Sequence, residues 1–155
     1  LKMKQILFIL LFSIVPLSWA EDELKTINMS LDEFEADPIL KGKDMQLFIL
    51  KRCAAAFDVL VEMGDDQMDE TVDKFSLASI LATKKIDNEG GLDRTRDQIS
   101  TEVSEDIEKN KDTYLKHLIT WNEYIGKDSE EMFSEPFKAD LRICFVIKEQ
   151  LKIMP

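Results

Sequence analysis

Between Ile99 and Ile125 apolar side chains return at helical steps: Ile99, Val103, Ile107, Tyr114, Leu118, Trp121 and Ile125. Those steps place the set along one side of an α-helix, whereas a strand, whose faces repeat every two residues, would scatter it over both faces. The positions between are charged and polar, so this helix, about 93–125, buries one side only and Gly126 stops it. A one-sided helix has to lie against other elements, and the rest of the chain offers helices to meet it.

The spacing predicts three more. Asp44 suits the cap of a first helix that runs through Leu47, Phe48, Ile49, Leu50 and Cys53 to about Met63, with Gly64 as its stop. It is apolar around most of its circumference, which marks the central helix, and Ala54-Ala55-Ala56 lets a neighbour approach closely. A second helix, about 66–86, carries Met68, Val72, Phe75, Ser79, Ala82 and Ile86 at steps of four and three before Gly90-Gly91 forces a turn. The last helix has Pro136 in its first turn and Phe137, Leu141, Cys144, Ile147 and Leu151 on one face. Asp128 and Glu131 have capping-box spacing ahead of it, and Ser129 to Phe133 reads either as a separate turn or as its start. With only 5 Gly and 4 Pro in 155 residues, the composition favours helices over turn-rich β architecture. The expected fold is all-α: a single-domain antiparallel bundle of about four main helices over 44–155, preceded by a short N-terminal helical arm at 21–43. In the arm, Ser30 and Glu33 have capping-box spacing, Pro38 stops the turns they begin, and Leu31, Phe34, Ile39 and Leu40 can fold back onto the core.

Residues 1–20 read as a cleavable signal peptide. Lys2 and Lys4 precede an apolar run from Ile6 to Val15 broken only by Ser13, and Ser18-Trp19-Ala20 puts small residues at the two positions a signal peptidase reads. The run falls short of the roughly 20 residues that span a bilayer, so no stable membrane span is expected after cleavage. Export makes the two cysteines, Cys53 and Cys144, a disulfide pair rather than metal ligands or a redox site, and no Cys-x-x-Cys exists. Cleavage at Ala20 removes two lysines and no acid, leaving 31 acidic against 18 basic residues. Lysine is spread among the acids without a basic stripe, which disfavours nucleic acid and anionic membranes and favours a protein partner with a basic surface. Asn28-Met29-Ser30 fits the N-glycosylation pattern.

His117 is the only histidine. A ferritin-like di-metal site needs Glu-x-x-His on two helices, and here the residue three before His117 is Tyr114. The common zinc sets, the haem-attachment motif, the Gly-x-Ser-x-Gly elbow and phosphate-binding glycine loops are all missing from the sequence, so no cofactor is implied. Tyr114, His117, Trp121 and Tyr124 follow at steps of 3, 4 and 3 and project from one side of the third helix. Such a stripe usually packs, with Tyr114 and Trp121 as anchors. The alternative is a pocket edge where His117 handles a proton and the aromatic rings stack on a ligand. A second candidate is the acidic turn between the first two helices. There Asp65, Asp66, Asp69 and Glu70, flanked by Glu62 and Asp73, offer oxygens to a hard cation, although the spacing fails the EF-hand pattern and the carboxylates also suit a helix N-terminus.

The residues therefore point to a small, acidic, exported protein, periplasmic or secreted, that acts by binding and has no catalytic residue. Two alternatives stand beside it: a small-ligand protein or hydrolase built around His117, and a cation-binding protein using Asp65 to Glu70.

Overall fold

The computed structural model describes residues 43–125 and 133–151. The leader, the arm to residue 42 with its Asn28 sequon, Gly126 and the Asp128/Glu131 capping box lie outside the described residues, as do the side chains of Asp44, Tyr124 and Ile125. The described residues form four helices, α1 (Lys43–Glu62), α2 (Asp69–Gly90), α3 (Arg96–Ile125) and α4 (Glu135–Leu151), with one 3-10 turn at Asp66–Met68. No strand occurs among the described residues, and none of their helices is long and apolar enough to cross a membrane. The protein is an all-α bundle.

The central position of α1 follows from its composition. Ile49, Cys53, Ala54, Ala55, Ala56, Phe57 and Val59 are all buried, and the other three helices lie around them. Toward α2, Phe57 meets Phe75 with ring centroids 5.4 Å apart; toward α4, it meets the edge of Phe145 at 5.2 Å. Cys53 is bonded to Cys144 of α4, with the two Cα atoms 5.2 Å apart. Toward α3 the link is ionic. Lys51 pairs with Asp106, and Lys111 reaches Asp58 and Glu62, each at 3.2 Å. Burial pulls the Lys111 ammonium toward losing its proton, but hydrogen bonds to Glu108, Asp58 and Glu62 more than offset it and hold its pKa above the ordinary lysine value.

The turns from α1 to α2 and from α2 to α3 are each closed by a left-handed glycine. At the end of α1 the Gly64 N–H donates to the Val61 carbonyl and the Asp65 N–H to that of Leu60; at the end of α2 the Gly91 N–H donates to Asn88 and the Leu92 N–H to Asp87. These are the two bonds of a Schellman motif, which needs a positive φ, and Gly64 and Gly91 supply +101° and +72°. Gly90, expected to share the turn, remains helical. The long helix starts at Arg96 rather than near Asp93. Thr95 Oγ1 accepts from the Gln98 N–H at 3.2 Å while Gln98 Oε1 accepts from the Thr95 N–H at 2.9 Å, a capping box that fixes the boundary.

The second helix differs from expectation in the face it buries. Thr71, Phe75, Ser79, Thr83 and Asp87 point inward, while Met68, Val72, Ala82 and Ile86 are only half-buried. Hydroxyls tolerate the interior because the helix satisfies them: Ser79 donates to the Phe75 carbonyl and Thr83 to that of Ser79, both at 2.8 Å. Asp87 is satisfied by Arg94, which grips both carboxylate oxygens at 2.7 and 2.8 Å and also reaches Glu102.

Candidate functional site

The densest polar grouping lies where α1, α3 and α4 meet. Arg52, Tyr114 and Asp140 are all buried. The Tyr114 hydroxyl donates to Asp140 Oδ2 at 2.6 Å, and Arg52 approaches the same oxygen at 3.3 Å. The guanidinium also lies over the Tyr114 ring, 4.7 Å from its centroid, and over Phe48 at 5.8 Å. Arg52 Nε, buried as well, has no hydrogen-bond partner among the described residues. Burial raises the Tyr114 pKa well above the phenol value, with the Asp140 charge adding to it, so the hydroxyl stays a donor. Burial also raises the Asp140 carboxyl, against the pull of Tyr114 and Arg52.

One turn beyond Tyr114, His117 Nε2 lies 2.6 Å from Ser134 Oγ. Ser134 immediately precedes α4, and its carbonyl takes the first bond of that helix from the Lys138 N–H at 3.0 Å. The two side chains are enclosed, with His117 6% and Ser134 1% exposed. Of the aromatic stripe, Tyr114 is fully buried with its ring edge against Phe137 at 5.0 Å, and Trp121 is half-buried. A cleft among the described residues, with room for about one water (≈ 20 Å³), opens elsewhere, between α2 and α4, and is lined by Thr71, Lys74, Phe75, Lys148 and Leu151. Arg52, Tyr114 and Asp140 thus bond to one another across three helices, with Arg52 Nε left over among the described residues.

No protein-family model, curated protein or solved structure matches this chain. Any functional reading must rest on the residues themselves.

The acidic turn is the opposite environment. Glu62, Asp65, Asp66, Asp69, Glu70 and Asp73 are all exposed. Glu62 is taken up by Lys111, and Glu70 by Lys74 at 2.7 Å, whose hydrogen bond holds the Glu70 carboxyl below its usual value. Asp65, Asp66, Asp69 and Asp73 make no ion pair among the described residues, and no three acidic, histidine or cysteine side chains there come together as a metal-binding group. Met63, 44% exposed, sits beside them.

Sequence reasoning missed Arg52, Asp140 and Ser134. The signal for two of them was present. Asp140 falls on the apolar face set by Phe137, Leu141 and Cys144, and Arg52 adjoins Cys53 on the most apolar helix. Each charge lies within about one helical turn of a half of the expected disulfide, so the bond brings the two into one neighbourhood. Ser134 carries no comparable mark.

Proposed function

We propose that the protein is an exported, non-catalytic interaction protein whose acidic corner, from Glu62 to Asp73, engages a partner with a basic surface. The observation that carries this reading is the contrast between the two candidate sites. Four aspartates are exposed and make no ion pair among the described residues, whereas Tyr114, Asp140, His117 and Ser134 are buried and hydrogen-bonded in pairs. Complementary potentials of this kind steer association and set its salt dependence. The disulfide and the leader-like features of residues 1–20 support export.

Affinity capture from the native compartment under oxidising conditions tests the proposal. A bound basic protein should survive His117→Ala and be lost when Asp65, Asp66, Asp69 and Asp73 are all changed to Asn. Equal retention by the two variants would remove the acidic corner from the reading. A second reading draws on the short contact between His117 Nε2 and Ser134 Oγ, which has the form of a base and a nucleophile. It requires Ser134 to be reachable, so covalent labelling by a fluorophosphonate, abolished in Ser134→Ala, would favour a hydrolase. An unlabelled protein counts against one.

A further inference from the structure

The outer face of α2 is apolar where a surface helix is normally polar. Leu77 and Leu81, one turn apart, are 47% and 61% exposed, while hydroxyl side chains of the same helix occupy the interior. Lys74 and Lys85, three residues before Leu77 and four after Leu81, share that face, and Lys85 makes no ion pair among the described residues. Asp73, four residues before Leu77, is exposed on the same face and Lys74 is paired with Glu70, so the apolar pair has a basic end at Lys85 and a mixed end at Asp73 and Lys74.

We infer that the N-terminal arm covers it, with Leu31, Phe34 and Ile39 over Leu77 and Leu81 and the arm's carboxylates against Lys85. Three observations support this occupant. The chain enters the bundle beside this helix, because Lys43, the first residue of α1, is ion-paired with Glu89 in the last turn of α2. From there Leu81 is eight residues back along α2, about 12 Å, a distance that some four extended residues span. The charge also matches. Residues 21–42 hold seven acids and two lysines, and Asp32, Glu33 and Glu35 stand among the apolar residues of the arm.

A second copy of the chain is the poorer occupant. An antiparallel pairing of two α2 helices with Leu77 of each opposite Leu81 of the other sets Asp73 against Lys85 but Lys74 against Lys84, so charge gives it no net gain, and a parallel pairing sets like lysine against like. Two leucines also offer far less than the roughly 800 Å² per partner of a stable interface.

The test uses the full chain with photoreactive benzoylphenylalanine at position 81. Irradiation should give a monomer in which that position is joined to a peptide from residues 21–42. A covalent dimer, or a monomer joined to no arm peptide, overturns the inference. Hydrogen exchange supplies an independent reading. In the unaltered chain, amides of residues 30–40 should exchange at least several-fold more slowly than in a Leu77→Asp, Leu81→Asp chain, with α1 unchanged between the two; equal arm exchange in both chains overturns the inference as well.

Discussion

Arg52 and Asp140 sit at a position where each depends on the other. A carboxylate moved out of water loses several kcal/mol of hydration, and here it recovers only part of that loss from one guanidinium contact and one phenolic hydrogen bond. Removing only the cation should therefore be worse than removing both charges. Arg52→Met is expected to lower the unfolding free energy by about 3 to 5 kcal/mol, and Arg52→Met with Asp140→Leu by markedly less. Urea midpoints of the three chains decide it, and a double variant no better than the single one would contradict the argument. Because burial already raises the Asp140 carboxyl, the Arg52→Met penalty should shrink as pH falls from 7 and the stranded group takes up a proton. Asp87 has the opposite sign. Hydrogen bonds from Arg94 hold its carboxyl below the ordinary value, so the stability it contributes is present above the unfolded pKa of about 3.9 and is lost as pH falls through the lower folded one. Asp87→Asn should accordingly melt at a lower temperature than the unaltered protein at pH 7, with the gap closing in acid below about pH 4.

At the scale of elements, two adjacent glycines separate conformation from sequence. Gly90 is helical and Gly91 is left-handed, and neither has an atom within 4 Å of where a Cβ would stand. Any effect of alanine there arises from the backbone alone. Gly90→Ala should stabilise by about 0.5 to 1 kcal/mol, since it reduces the freedom of the unfolded chain, while Gly91→Ala should cost about 1 to 2 kcal/mol for a left-handed Cβ. Denaturant melts that give both changes the same sign would refute the assignment of the turn. The helix-ending role of Gly64 was legible because only glycine takes that conformation cheaply. The Thr95 and Gln98 cap was equally legible in its spacing, yet the expected start near Asp93 passed over it. The buried face of α2 was harder to read. Ser79 lies on the expected stripe, but hydropathy ranks Thr71 and Thr83 as surface residues, and the bond from Thr83 to the carbonyl four residues back is what lets it turn inward. The same bias concealed Arg52 and Asp140, since a charge reads as solvated until its partner is known.

Across the whole molecule, the disulfide joins the central helix to the last one. Its two ends are 91 residues apart, so nearly all of the described bundle lies inside the loop it closes. In the chain-entropy account such a loop restricts the unfolded state by about 4 to 5 kcal/mol, a large part of what holds a domain of this size folded. The shortest helix has the most to lose, because α4 meets the others through the buried Asp140 cluster, the Phe57 and Phe145 rings and the bond itself. Reduction, or Cys53→Ser with Cys144→Ser, should move the urea midpoint down by that order. Most of the effect should appear in unfolding equilibria rather than in native helix content, since the bond acts chiefly on the unfolded chain. Hydrogen exchange refines the expectation: amides of α4 should gain more than those of α1, whose burial on every side does not depend on the bond. A midpoint shifted by less than about 1 kcal/mol would mean that the unfolded chain keeps these two helices together without the bond, and that the link serves the folded surface instead.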